Sequence, residues 1–358
     1  MTLRSADTWI LRFPSNRAAA ERSDEFFELI GVTLGDGSGE TATGWTFTSD
    51  YGGGESVKAL LDQMLVPRII GRSVDDIDAI HADLRHRTHR LGHGIASLAI
   101  AAIDIALWDL RARLGGMSLA RALGQMRDRV PAYGSGRASP TLPTDDLVKF
   151  SAEYVASGFR AVKIRVGREP ARDVERIKAV RDAVGDDVRI MCDANERLDL
   201  PTALWLGRRL ADLGIYWLEE PLPSQDIAGY RRLRASLPIP LALGEHVFSQ
   251  GEFMPYMTEG AIDVVQPDAC MIGGLTEALR VARAASALGL AVAPHFMTEI
   301  HVHLAATVAQ PAYVEFYPFM DDLLMHGLEV DDGHVVVPTA PGHGVVFTDE
   351  AWTRYRVA

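Results

Sequence analysis

The chain has 358 residues, 47% of them hydrophobic and 23% charged, and its 36 basic and 48 acidic side chains give a net charge of −12. This is too long for one small domain, and the composition supplies a large core and excludes wholesale disorder. With no basic stretch able to neutralise a row of phosphates, nucleic acid is excluded as the main partner; anionic small molecules stay open, because a bound cation reverses the sign of a site locally.

Residues 8–13 form a strand-like run ended by Pro14, and the polar segment 15–24 that follows has no apolar period. Residues 26–34 and 41–48 flank Gly35-Asp36-Gly37-Ser38-Gly39 and predict a hairpin. Gly52-Gly53-Gly54 then leads into a helix near 55–65. A glycine-rich turn before a helix could cradle phosphate, but no Gly-Lys-Ser/Thr signature accompanies it, so a lid or plain loop is the better expectation. Ser73 with Asp76 resembles a capping box for a helix running to about Arg90. A third helix, about 94–114, is apolar on most faces and is expected to be buried. Its apolar stretch, Ile95 to Trp108, holds Ser97 and Asp104 and is too short for a bilayer. No basic-then-apolar leader opens the chain, and Cys192 and Cys270 lie in apolar runs as expected of buried thiols in a reducing compartment. The expectation is a cytoplasmic protein whose residues 1–126 form an α+β domain.

From Val130 the rhythm changes. Strand-like runs recur at 130–135, 160–166, 188–193, 215–219, 241–245, 262–266, 290–294 and 312–316. Helical patterns lie between them, with start signals at Thr144, Pro170, Asp199 and Ser249. Eight such units predict an α/β fold of the TIM-barrel type over residues 127–320, its last helix irregular or missing. Residues 321–358 return to a mixed pattern, with Asp331-Asp332-Gly333 as a hairpin turn, and are expected to pack against the first domain.

Three of the predicted strands end abruptly in an acid: Asp193, Glu219 and Glu245, 26 residues apart in each step. Successive parallel strands of a barrel end side by side at its C-terminal rim, so these carboxylates converge and repel unless a hard divalent cation lies between them. Oxygen-only ligation suits Mg²⁺. Any one of the three alone is more simply a helix cap; the equal spacing argues for a shared metal. Lys163 and Arg165, at i and i+2 on the second strand, point into the barrel toward the acids. Asp268 and His295 follow the sixth and seventh strands, where a buried Asp bonded to one imidazole nitrogen makes the other a general acid/base. Glu315, after the eighth strand, is open to two readings: a group that protonates or hydrogen-bonds a developing oxyanion, or a buried ion pair. His301 and His303 project to different faces of a helix and are unsuited to share a cation. His86 and His89 have better spacing, but they sit among arginines on what reads as a solvated face.

At these residues the sequence resembles the enolase superfamily, specifically its mandelate racemase group, over nearly the whole chain. The resemblance implies a (β/α)7β barrel with a capping domain built from the N-terminal region and the C-terminal segment. It implies Asp193, Glu219 and Glu245 as ligands of one Mg²⁺ per subunit, Asp268–His295 as the catalytic dyad, Lys163 as the first lysine of a Lys-x-Lys motif and Glu315 as an electrophilic acid. It also places Asn195 near the metal and in reach of substrate, and implies a symmetric homo-oligomer. Ala106-Leu107-Trp108-Asp109 and Ala293-Pro294-His295-Phe296 look most like acid-sugar dehydratases of the talarate/galactarate kind. Segments 15–24 and 48–54 would lie over the mouth, making Arg17 and Tyr51 substrate-binding candidates, with Arg17 or Arg22 facing a distal carboxylate; solvated surface charge is the plainer reading of either arginine.

One position departs from the motif. Where the family has its second lysine, this chain has Arg165, whose guanidinium keeps its proton above pH ~12. Racemisation needs a proton carrier on each face of a planar intermediate, whereas dehydration needs one base and one acid that His295 can supply alone. The expected reaction is Mg²⁺-dependent loss of water from an aldonate or aldarate to give a 2-keto-3-deoxy acid through an enediolate. A racemase, epimerase or lactone cycloisomerase using the same enolate chemistry is the enzymatic alternative. A non-catalytic metabolite-binding barrel is the alternative of another class.

Overall fold

The computed structural model of the protein describes residues 1–14, 26–49, 52–136, 138–309 and 313–357. The candidates Arg17, Arg22 and Tyr51 lie outside the described residues. Strands β1 (Ser5–Pro14), β2 (Phe26–Gly35) and β3 (Thr41–Ser49) form an antiparallel sheet in that order. The β2–β3 turn closes because Asp36 accepts bonds from the backbone N–H and hydroxyl of Ser38, while Gly37 and Gly39 take positive φ. Helices α1 (Gly54–Leu60), α2 (Val66–Ile69), α3 (Ile77–Thr88), α4 (Ile95–Leu114) and α5 (Leu119–Leu123) follow, with one π-helical turn joining α1 to α2. Apolar on nearly every face, α4 is buried against β3. Glycine is required at 44, where a Cβ would stand 2.2 Å from the Ala106 nitrogen.

One local expectation of this region changes. Ser73 does not cap α3: its hydroxyl accepts from the Asp75 N–H at 3.2 Å, and Asp76 stands at the helix start without a side-chain cap. In the Gly52–Gly54 turn the Glu28 carboxylate accepts from the Gly54 N–H at 2.9 Å, which takes up one donor that a bound phosphate would need.

Eight parallel strands follow as predicted: β4 (Arg129–Gly134), β5 (Ala161–Arg165), β6 (Arg189–Asp193), β7 (Trp217–Glu219), β8 (Leu241–Leu243), β9 (Val264–Val265), β10 (Ala291–Val292) and β11 (Val314–Phe316). Among the described residues seven helices lie between them: α6 (Thr144–Ala156), α7 (Pro170–Val184), α8 (Leu200–Asp212), α9 (Ile227–Ser236), α10 (Gln250–Thr258), α11 (Leu275–Ala287) and α12 (Thr298–Ala305). Asp199 and Ser249 cap α8 and α10 by accepting N–H bonds from Thr202 and Glu252. The ladder runs from β10 back to β4, and β11 joins β4 from the other side. Among the described residues no ladder joins β10 to β11, so the barrel carries a seam there. The hairpin β12 (Val330–Asp331) and β13 (His334–Val336) turns at Asp332-Gly333 and pairs antiparallel with the first half of β4. The final helix α13 (Asp349–Tyr355) packs on β1, and Val357 donates to the Ile10 carbonyl at 2.9 Å. No helix among the described residues is long and apolar enough to cross a membrane.

The barrel floor is filled by Tyr133, Ala161, Met191, Trp217, Ala242 and Val264, with Ala293 packed on them from above. Above it the N-terminal elements grip the loop after β9. Thr46 donates to the Cys270 carbonyl at 2.6 Å, His81 to Gly273 at 3.1 Å, and Arg85 to Ile272 and Phe248. Asp104 accepts from the Thr276 N–H at 2.9 Å, and the Trp108 indole donates to the Thr276 hydroxyl at 2.9 Å.

Three buried histidines are locked neutral by their partners. Each has one ring nitrogen accepting a backbone N–H, from Ala269 to His301, Ala120 to His303 and Val345 to His343. The other nitrogen donates to a carbonyl, of Phe296, His343 and Thr43 respectively. Burial lowers all three pKa values, that of His303 to about 4. A depressed histidine pKa means the unfolded chain takes up protons first, so stability is full above about pH 6.5 and drains as pH falls toward 4. His303 alone is expected to account for about 3 kcal/mol of that loss. Urea unfolding of wild type and H303N across pH 7.5 to 4.5 checks it, the variant being expected to lose less stability on acidification; equal slopes would refute the assignment.

Candidate active site

Lys163 occupies the centre of the barrel mouth, 3% exposed, with its ammonium 2.7 Å from Glu219, 3.1 Å from Glu315 and 3.4 Å from Asp193. Burial alone would discharge the amine, but Glu219 and Glu315 reverse that and raise its pKa well above the ordinary value. The strand register sets this meeting, since Arg165 pairs with Asp193, and Asp193 with Glu219. One oxygen each of Asp193, Glu219 and Glu245 lies within 4.8 Å of the others, so the three acids predicted from spacing do converge. Burial, together with the neighbouring carboxylates, pushes Glu219 up to about 8 in spite of Lys163. Arg165 faces the same acids. Its guanidinium is pressed downward by burial, but Asp193, Glu245 and Glu315 outweigh this and hold its proton more firmly than usual.

Asn195 sits among the acids themselves. Its amide donates to Asp193 at 3.1 Å and Glu245 at 3.2 Å, tying two carboxylates together, while its carbonyl accepts from Arg197 at 3.0 Å. It takes φ +41° immediately after β6, and Glu220 takes φ +38° after β7. Such left-handed backbone is tolerated best by Asn, and here it turns the chain sharply at the rim.

His295 donates from Nδ1 to Asp268 at 2.9 Å and turns Nε2 toward Glu245 at 2.7 Å. Burial opposes the imidazolium, yet Glu245 and Asp268 raise its pKa well above 6.5. Asp268 is held by the Cys270 N–H at 2.8 Å. Of the two readings open for Glu315, the geometry supplies the ion pair: it faces Lys163, accepts from the Phe296 N–H at 2.9 Å and is held down to about 2 by Lys163 and His295 against burial. Beside the dyad, Phe296 contacts Phe27 and Phe47 of the N-terminal sheet and Phe319, with centroids 5.9, 4.9 and 4.4 Å away. The imidazole lies against this apolar wall, its ring centroid 5.7 Å from that of Phe296.

Several residues at the site escape sequence reasoning. His246 bonds Glu220 at 2.6 Å, with Glu196 at 3.9 Å, forming a second polar layer behind the acids. Burial pulls His246 down, but Glu220 and its carboxylate neighbours push it up to about 9. The available signal was the doubling of Glu219-Glu220 and Glu245-His246, whose second members meet each other, His246 standing 3.6 Å from Glu245. Ser135, at the end of the first barrel strand, hydrogen-bonds Glu315 and had no signal beyond its position. His301 bridges Ala269 and Phe296 and so braces both dyad loops, while His86 and His89 stack on each other at 5.5 Å, outside the site.

Asp193, Glu219 and Glu245 fit a divalent cation: all three donors are oxygens, one from each side chain, on three adjacent strands. Known proteins bear on the same arrangement. Residues 2–124 match the model for the mandelate racemase / muconate lactonizing enzyme N-terminal domain, and residues 146–351 match that for the enolase C-terminal domain-like family. L-talarate/galactarate dehydratase of Salmonella typhimurium is 34% identical over 86% of this chain and 78% of its own. The 3,6-anhydro-alpha-L-galactonate cycloisomerase of Streptomyces coelicolor is 34% identical over 92% of both chains. The crystal structure of a racemase from Streptomyces coelicolor with bound magnesium superposes with TM-score 0.93 at 32% identity, covering 99% of this chain and 100% of the other.

Proposed function

We propose, on the premise that this chain belongs to the mandelate racemase/muconate lactonizing enzyme family of the enolase superfamily, that it is a lyase removing water from an acid sugar to give a 2-keto-3-deoxy acid. The observation that carries the reading is the pairing of one titratable carrier, His295, with a guanidinium, Arg165, across the same site. A guanidinium this firmly protonated is a poor base, so proton traffic on its side of the substrate is disfavoured.

Asp193, Glu219 and Glu245 would hold Mg²⁺, which supplies the positive charge that acidifies the carbon next to a chelated carboxylate. His295 Nε2 takes the α-proton, while Asp268 holds the opposite nitrogen and stabilises the imidazolium. Lys163 donates toward the carboxylate oxygens as the enediolate develops, and Glu315 fixes its ammonium in that position. The imidazolium then returns the proton to the β-hydroxyl on the same face, which leaves as water, and the resulting enol becomes the keto acid.

Incubating a panel of aldonates and aldarates with enzyme and Mg²⁺ in D₂O tests this by NMR. Accumulating keto acid with little deuterium in recovered substrate is expected; deuterated or epimerised substrate without keto acid would instead favour a racemase or cycloisomerase. Arg165→Lys supplies an amine that can be tuned toward neutrality, and it is expected to raise deuterium incorporation into substrate at least tenfold, now from both faces. No rise would remove the argument from the missing base.

A further inference from the structure

Gln266 is a buried polar side chain of the barrel to which the chemistry above gives no part. It is 1% exposed, and neither its Nε2 nor its Oε1 finds a hydrogen-bond partner. Leaving both ends of a buried amide unmatched costs folding free energy, and such groups are rare without a reason.

Its direction follows from the strand. Val264 belongs to the barrel floor, and Val265 to the core facing the helices, so the two-residue alternation turns Gln266 inward, one step above the floor. Its neighbours at that level are Gly244, whose Cβ would stand 2.2 Å from the Gln266 carbonyl oxygen, and Ala293, which continues the Ala291–Val264 register. Neither brings a side chain long enough to satisfy the amide. Two residues further on stands Asp268, holding His295, and next to Gly244 stands Glu245, which meets the same imidazole. The carboxamide therefore lies directly beneath the dyad.

We propose that Gln266 reads a hydroxyl group of a polyhydroxy acid bound in this site, Nε2 donating to the hydroxyl oxygen and Oε1 accepting its proton. A carboxylate offers acceptors alone and would leave Oε1 unmatched, and an apolar arm would leave both atoms unmatched; a hydroxyl satisfies both. This rests on the acid-sugar reading and deepens it: the enzyme selects its substrate by a hydroxyl near the reacting carbons.

The test uses Q266L, close in size and without polar atoms, with Q266M as a second variant should the first fail to fold. Calorimetry in Mg²⁺ compares galactarate with adipate, which has the same carbon chain and carboxylates but no hydroxyls, and D-gluconate with hexanoate. Wild type is expected to prefer the hydroxylated member of at least one pair, and the variant to lose roughly tenfold or more of that preference. The variant's melting temperature should hold or rise, because an unmatched amide has been replaced by an apolar group. A preference unchanged in Q266L, or no binding of either hydroxylated acid to wild type, overturns the proposal. Keto-acid formation is scored separately: a preference lost in Q266L while wild type makes no keto acid would keep the hydroxyl contact and sink the dehydratase reading.

Discussion

Replacing His295 with Asn is expected to lower turnover roughly 10⁴-fold while the fold and Mg²⁺-dependent binding of a carboxylate ligand persist. The size of the loss follows from one imidazole serving twice, first as base at the α-carbon and then as acid at the departing hydroxyl. Asn can still donate toward Asp268, so the buried carboxylate, bonded also to the Cys270 N–H, is not left bare. What Asn cannot do is carry a proton. The decisive measurement is exchange of the substrate α-hydrogen in D₂O, which should vanish with turnover. Exchange persisting in H295N would assign the base elsewhere and remove the case for a single-sided site.

The second large effect is expected at Lys163, where charge balance and catalysis meet. Its ammonium touches three carboxylates inside the barrel, and Lys163→Met leaves them facing one another. Breaking a buried ion pair by removing one partner costs about 3–5 kcal/mol, because the remaining charge stays desolvated. The variant should therefore be strongly destabilised in chelator. Mg²⁺ should recover a larger part of that loss than it adds to wild type, since the same acids then attract the cation with less competition. Turnover should nevertheless remain down by about 10²- to 10³-fold in saturating Mg²⁺, the range seen when one donor to a developing oxyanion is lost. Melting temperatures of both proteins across a Mg²⁺ titration decide the first half. Equal increments in wild type and K163M would show that the Lys163 ammonium does not compete with the cation for Asp193 and Glu219.

The convergence of Asp193, Glu219 and Glu245 was legible because a βα unit is a ruler: once the rhythm of eight runs is seen, equal spacing puts equal positions at one rim. Lys163 was legible for a related reason, the two-residue period of a strand. What spacing did not carry is how neighbours divide their bonds. Asn195 was placed near the acids by position, but nothing along the segment showed that its amide spans two of them. Glu315 looked like an acid or a partner of a cation, and its pairing with Lys163 depends on a contact between the second and eighth strands. Ser73 followed the letters of a cap, but its hydroxyl bonds two residues on, within its own turn. The pairing of β13 with the lower half of β4, far apart in sequence, had no local signature. Such features depend on which chain segments meet, and a pattern along one segment does not contain them.

The loop from Asp268 to Thr276 accepts bonds from Thr46, His81, Arg85 and Trp108 and donates one to Asp104, so the orientation of the dyad is shared property of two regions distant in sequence. An engineer who grafts a foreign lid onto these eight strands to change substrate preference would inherit a proton carrier whose support has been exchanged along with the lid. A transplant that kept only the mouth-covering segments, and left those five side chains in place, would vary selectivity while sparing the chemistry.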